Sequence, residues 1–321
     1  MNLNLNLLRD SINSYINGLI PREPRSLYDP VRAVIESGGK RARPILTAIC
    51  ADSAIANEGA WLPPASAVEL LHTFTLVHDD IMDNAPTRRG HPTTHVAYGL
   101  STAILTGDTI VALALESLSK SNSPFIAEMM AEFGFAFRAV CEGQALDKDF
   151  DNRDEVSLGE YLEMIELKTS RIFELAAVLG ALAGKTDHIE SFRLFARNVG
   201  LAFQIQDDLL DLTGGQELGK TIGGDILEGK RSVLFVLAME SYNQTEGEDR
   251  AMLDRLRDRS ATPKDIIPIK GLFDRIGILD KVAIIAKDHT ERAEKHILQI
   301  DDPGIRENLI GFSQWLLGRS S

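Results

Sequence analysis

Six aspartates fall into two matching groups, HDDIMD at 78–83 and QDDLLD at 206–211, each with Asp at the second, third and sixth letter of an otherwise apolar stretch. On a helix, residues four apart stand about 5 to 6 Å apart at Cβ, so Asp79 and Asp83 form one acidic ledge and Asp207 and Asp211 another. Carboxylates at this spacing suit magnesium, which takes one or two protein carboxylates and completes its octahedron with water and phosphate oxygens. A solvated acidic patch is the alternative, since a like-charge i,i+4 pair costs only about 0.2 to 0.5 kcal/mol. Two copies set among Leu, Ile, Phe and Val favour the metal.

Basic residues gather around these groups. In Gly38-Gly39-Lys40-Arg41-Ala42-Arg43-Pro44 the glycines permit close backbone approach and Pro44 suits a first helical turn, so Lys40, Arg43 and free N–H groups would make an anion site. Arg88 and Arg89 follow Asp83 closely and offer forked donors for phosphate. Lys168-Thr169, Gly219-Lys220 and Gly229-Lys230 add further donors. At about 100° per residue, His72 lies within roughly 20° of Asp79 and Asp83, and Gln204 within roughly 20° of Asp211.

The elements that must carry these residues read as helices. Ala, Leu, Glu and Met dominate long segments with apolar spacing of three to four, aromatics amount to 6%, and alternating Val/Ile runs are scarce. The fold class is therefore all-α. Helix stops or turns are expected at Gly38-Gly39, Pro63-Pro64, Gly90 to Pro92, Ser121 to Pro124, Gly184-Lys185, Gly214-Gly215 and Pro263. Residues from 40 to 230 would have to meet in one site, so the 321 residues are expected to form a single domain. Residues 242–321 read as further charged helices without recognisable chemistry.

A net charge of −13 argues against nucleic-acid binding, which needs clustered Lys and Arg. A polyanionic substrate would need bridging metal ions and a local basic cleft, and both are present in outline. Cys50 and Cys141 form no CxxC pair and suggest neither a disulfide framework nor a thiolate metal site, which fits a reducing cytoplasm. The start, MNLNLNLLRD, lacks the basic and apolar regions of a signal peptide, and no membrane-spanning segment is expected.

Taken in order, GGKRARP at 38–44, HTFTLVHDDIMD at 72–83, RRG at 88–90, Gly107-Asp108, Lys168-Thr169, FQIQDDLLD at 203–211 and GKTIGGDILEGKRS at 219–232 resemble the trans-isoprenyl diphosphate synthases, also called polyprenyl synthetases. The resemblance covers roughly residues 35–235. It implies a single all-α bundle with a central cavity, a homodimer, and head-to-tail condensation of isopentenyl diphosphate with an allylic diphosphate. It further implies that Asp79, Asp83 and Asp207 hold three Mg2+ ions, supported by Asp80, Asp208 and Asp211. Lys40, Arg43, His72 and Arg89 resemble the isopentenyl diphosphate set; Arg88, Lys168, Thr169, Gln204, Lys220 and Lys230 resemble the allylic set. Many relatives carry Asp where Gly215 stands and Thr where Ser232 stands, and neither departure removes a ligand or donor.

In this family the residues four and five before the first Asp help set product length, and here they are Thr75 and Phe74. With bulky Phe74 and no insertion between Asp80 and Asp83, the pattern resembles archaeal-type geranylgeranyl diphosphate synthases, with a C20 product. Farnesyl diphosphate (C15) or a longer chain is the alternative. A terpene cyclase would carry a second metal motif of Asn/Ser/Glu type, and a silent partner subunit would have lost aspartates from one motif.

Overall fold

The computed structural model describes residues 4–51, 59–214 and 222–318. Helices account for nearly all of it: α1 (Leu5–Leu19), α2 (Arg25–Glu36), α3 (Ala42–Cys50), α4 (Leu62–Met82), α5 (Thr94–Tyr98), α6 (Leu100–Ser119), α7 (Ile126–Phe150) and α8 (Leu158–Ile165). There follow α9 (Arg171–Gly184), α10 (Ile189–Thr213), α11 (Gly224–Glu228), α12 (Val233–Glu240), α13 (Gly247–Arg257), α14 (Ile266–Arg275), α15 (Ile278–Ile297) and α16 (Pro303–Leu317). The all-α expectation holds. One small addition is an antiparallel hairpin of β1 (Thr87–Arg88) and β2 (His91–Pro92), pairing Thr87 with Pro92 and Arg88 with His91. Its two-residue loop, Arg89-Gly90, has positive φ at both residues, 53° and 79°, as a type I′ turn requires.

Most expected stops are found, with one change of role. Pro63 and Pro64 stand in the first turn of α4, where a missing N–H costs nothing, so they start a helix. Between α8 and α9, Glu166–Ser170 form a π-helical turn, a local widening common at functional sites.

By backbone proximity the chain divides into two compact units. The first comprises Met1–Arg138, Ile172–Ala196 and Lys295–Leu316. Its core holds Ile12, Ile16, Ile45, Leu46, Phe133, Phe173, Phe192, Phe195 and Phe312, each under 2% exposed. Within it α4 runs along α6, where a Cβ on Gly107 would collide with the His78 ring. On α9, Gly180 and Gly184 let the helix touch the α3 end at backbone distance, facing the carbonyls of Thr47 and Ala51.

The second unit comprises Ala139–Arg171, Arg197–Glu294 and Leu317–Ser321. Its core is built on α12, whose residues Val233 to Ala238 are all buried, with Phe150, Tyr161, Ile205, Leu253, Phe273 and Val282 around it. The wide turn at Glu166–Ser170 fits because two neighbours lack side chains. A Cβ on Gly143 of α7 would overlap the Lys168 backbone, and one on Gly200 of α10 would lie 2.7 Å from the Ser170 Cα.

The sequence reading passed over α6. Among the described residues it is the one helix long and apolar enough to cross a membrane by length and composition, with mean hydropathy 1.3, although 39% of that stretch is buried inside the protein.

Candidate active site

The first aspartate group occupies the last turn of α4, and the second the last turns of α10. A helix C-terminus carries the negative end of the macrodipole and unpaired carbonyls, so both positions favour a cation over any carboxylate placed elsewhere on the helix.

In the first unit, Asp79 and Asp83 are partly exposed while Asp80 is buried at 6% exposure. Asp80 Oδ1 accepts from both Arg88 Nε and Nη2 at 2.7 Å, and Arg88 Nη2 lies 3.9 Å from Asp79 Oδ2. Burial pushes the Asp80 carboxyl up and the Arg88 guanidinium opposes that shift. The turn that ends α4 explains this contact: Asn84 is left-handed (φ 50°) and the Ala85 N–H donates to the Asp80 carbonyl at 2.9 Å, so the chain reverses and β1 carries Arg88 back beside Asp80.

At the hairpin tip Arg89 donates to the Gly38 carbonyl, and its guanidinium lies 3.2 Å from where a Gly39 Cβ would stand, which is the close approach expected of this glycine. His72 sits among these cations. Burial first, then the charges of Arg43, Arg89, Arg88 and Arg41, hold its imidazole pKa well below the ordinary histidine value. Arg43 stacks 4.4 Å from the Phe173 centroid, and Lys40 Nζ lies 5.9 Å from the Trp315 ring on α16. Thus Arg43, His72, Arg88 and Arg89 share one electrostatic neighbourhood, and Lys40 at its edge meets the C-terminal helix.

Arg41 was left out of the expected anion set, and the structure explains its type. It is 6% exposed, starts α3 from a left-handed conformation (φ 53°), and donates to Glu69 at 2.7 Å, Asn13 at 2.9 Å and the Ile35 carbonyl at 2.8 Å. A lone Glu69 inside the apolar run AVELL was the available signal, because a buried carboxylate requires a partner.

Phe74 is 8% exposed and meets the Phe137 ring edge-on at 5.2 Å and the His78 ring at 4.5 Å. The neighbouring Thr75 is half-buried and its hydroxyl donates to the His72 carbonyl at 2.7 Å.

In the second unit, Asp207 is partly exposed and Asp208 is buried at 5%. Asp208 Oδ2 accepts from the Tyr161 hydroxyl at 2.7 Å and the Val233 N–H at 3.1 Å, and Oδ1 accepts from Gln204 Nε2 at 2.9 Å. Gln204 Oε1 in turn accepts from the Thr169 hydroxyl at 2.9 Å. Burial raises the Asp208 carboxyl to about 6 against these donors. Asp211 Oδ2 accepts the Asp225 N–H at 3.0 Å, tying α10 to the loop that begins α11. Asp225, which the sequence reading did not single out, is raised to about 8 by burial and by Asp208 and Asp211.

The lysines are paired with carboxylates. Lys168 Nζ lies 2.6 Å from Asp147, another residue the sequence reading missed, and Lys230 Nζ lies 2.9 Å from Glu228 and 3.8 Å from Asp225. No pattern in the sequence marks Asp147; its role appears only once α7 is beside the π-turn. Lys220, Gly215 and Gly219 lie outside the described residues.

Among the described residues no cluster of three His, Cys, Asp or Glu forms a metal cage. Partly exposed paired carboxylates at helix C-termini nevertheless fit magnesium, which keeps most of its shell for water and substrate phosphate. A site completed by phosphate oxygens is open until substrate arrives.

The polyprenyl synthetase family model matches residues 24–269. A geranylgeranyl pyrophosphate synthase of Geoglobus acetivorans is 37% identical over 319 residues, covering 96% of each chain. A geranylgeranyl diphosphate synthase of Methanosarcina mazei is 36% identical, covering 96% of this chain and 94% of that one. Among solved structures, a geranylgeranyl pyrophosphate synthase superposes with a TM-score of 0.91 at 35% identity, covering both chains completely. With both aspartate groups in place at helix ends and agreement along the whole chain, the protein belongs to the polyprenyl synthetase family.

Proposed function

We propose that this protein condenses isopentenyl diphosphate head-to-tail with an allylic diphosphate (dimethylallyl, geranyl or farnesyl), and that its product is geranylgeranyl diphosphate. The observation that carries this reading is the duplicated aspartate turn, found in a chain that matches geranylgeranyl diphosphate synthases end to end. The full chain, 1–321, is read as one catalytic domain.

Asp79, Asp83 and Asp207 are the proposed ligands of Mg2+, three ions in all. Bound metal supplies positive charge where negative charge builds on the departing diphosphate. Arg88, Lys168, Thr169, Gln204, Lys220 and Lys230 are assigned to the allylic diphosphate, and Lys40, Arg43, His72 and Arg89 to isopentenyl diphosphate. A unit charge pair at about 4 Å is worth about 4 kcal/mol at an effective dielectric of 20, so a few such contacts account for a large rate effect. Lys168 must exchange Asp147 for phosphate, and Lys230 must exchange Glu228, which keeps both cations positioned and neutralised before binding. Asp80, Asp208 and Asp211 hold the turns in shape. No protein nucleophile is required; the departing diphosphate takes the proton released on chain growth, and water must be excluded from the cation.

A homodimer is proposed. Val96, Tyr98, Leu100, Ile104, Leu105 and Leu115 are exposed along α5 and α6, which pack on each other, more apolar surface than scattered residues explain. This face, with Asp108 and Glu116 on the same helix, is assigned to a second copy of the chain; no integral membrane segment is proposed. Cys50 and Cys141 are free thiols, consistent with the cytoplasm as the proposed location.

The test is elongation of each allylic primer by the purified protein with isopentenyl diphosphate, with Mg2+ or with chelator, followed by mass analysis of the dephosphorylated alcohols. Magnesium-dependent growth that stops at C20 is expected. Stopping at another length would keep the chemistry and remove the C20 assignment, and no elongation from any primer would remove the reading.

A further inference from the structure

The hydrogen bonds around Asp208 run in one direction. A carboxylate is acceptor-only, so Gln204 must turn its amide N–H toward Oδ1, which leaves Oε1 facing the Thr169 hydroxyl as an acceptor. That bond is one of the fastenings of the π-turn Glu166–Ser170, beside the close approaches of Gly143 and Gly200, the Ser170 hydroxyl on the Arg197 carbonyl at 2.7 Å, and the ion pairs of Glu166 and Lys168. Oδ2 is occupied by Tyr161 and the Val233 N–H, so Oδ1 alone is left for Gln204. Tyr161 itself is 1% exposed on α8, and its hydroxyl cannot reach a diphosphate except through this chain of bonds.

We propose that Tyr161 is a positioning residue for the allylic half of the site, fixing Gln204 through Asp208 and, through Thr169, the turn that presents Lys168. The proposal rests on the prenyl-transfer reading for the identity of the ligand. Its physical content is that removing one buried hydroxyl loosens the carboxylate, frees the Gln204 amide to rotate, and unfastens one end of a turn that has poor intrinsic hydrogen-bond geometry. None of the four bonds described above, to Asp208 from Tyr161, Val233 and Gln204 and to Gln204 from Thr169, involves the isopentenyl donors Lys40, Arg43, His72 and Arg89, so their affinity should not change.

The experiment compares wild type with Tyr161→Phe, which keeps the ring and loses the hydroxyl. Binding of geranyl thiolodiphosphate, a non-reacting allylic analogue, is measured by calorimetry with Mg2+, and KM is measured separately for each substrate. Expected is a rise of about tenfold, or about 1.4 kcal/mol, in the analogue's Kd and in the allylic KM, with the isopentenyl KM within about twofold. A second variant reaches the same oxygen without touching the core ring. Val233 is the first residue of α12 and follows Ser232 at φ −66°, ψ 172°, a conformation that accepts a following proline, so Val233→Pro deletes the other Oδ2 donor. It should give the same selective loss.

A lower melting temperature with unchanged Kd and KM, or an equal rise in both KM values, would reduce Tyr161 to a packing residue and overturn the proposal. The calorimetric arm needs no turnover. It therefore reports on Tyr161 even if wild-type protein elongates no primer, which is the outcome that would remove the functional reading instead.

Discussion

The two aspartate turns share a sequence but not a support. Asp80 is held by one guanidinium that arrives on a surface hairpin and is itself 37% exposed. Asp208 is held by three donors from three places in a core: the α8 ring, the α12 backbone and a neighbouring side chain on α10. The first support can be exchanged, because the Arg88 guanidinium is part-exposed and already sits 3.9 Å from a second carboxylate, Asp79. The second cannot. One turn is adjustable and the other preformed, although six letters of sequence describe both.

The largest expected effect removes what the turns share. Asp79→Asn and Asp207→Asn should each lower kcat/KM by on the order of 10³ in the elongation assay, the scale for losing a group that stabilises developing charge. A markedly smaller loss in one of them would show that the two turns do not contribute equally.

Removing the inward aspartates should then separate the turns. Asp208→Ala should cost about 3 kcal/mol in urea unfolding and Asp80→Ala about 1 kcal/mol, because three buried donors lose their acceptor in the first case and one half-exposed guanidinium in the second. Equal values would erase the distinction between a rigid turn and an adjustable one.

Phe74 has no counterpart before the second turn, where Phe203 occupies the residue preceding Gln204. Phe74→Ala should extend the product beyond C20, read by mass, at a stability cost of about 3 kcal/mol for the vacated core volume. An unchanged product would leave the Phe74, His78 and Phe137 cluster as ordinary packing.

The smallest effect concerns pH. Asp208 and Asp225 hold protons more tightly in the folded chain than in the unfolded one, with carboxyls raised from 3.8 to about 6 and about 8. Such groups contribute stability below their unfolded value, and that contribution is lost as pH rises through the folded one. Metal-free protein should therefore melt a few degrees lower at pH 8 than at pH 6, and Mg2+ with pyrophosphate should narrow the gap. A flat profile would mean that these carboxyls are not strained against one another.

The all-α class, the helix ends and the residues on the acidic ledges were legible because they are periodic or punctuated: DDxxD repeats one helical turn apart, and glycines and prolines mark the breaks. Arg88 was legible as a basic residue near Asp83, but its partner was not, since nothing in the sequence foretells the left-handed turn at Asn84 that carries it back onto Asp80. Asp147 and Tyr161 were illegible for a related reason. Each is defined by what a distant segment brings beside it: Lys168 and Asp208 respectively. The π-turn was hidden as well, because YLEMIELKTS reads as an unbroken helix until Gly143 and Gly200 on other helices are known to make room for it.

The backbone approach of α9 to α3 at Gly180 and Gly184 sets a clock for the first unit. Two helices pressed together without intervening side chains cannot part by a rotamer change, so their amides exchange with solvent only when the whole core opens. Deuterium should therefore enter α3 and α9 last, and the anion loop that leads into α3 stays registered on a floor that outlives each turnover.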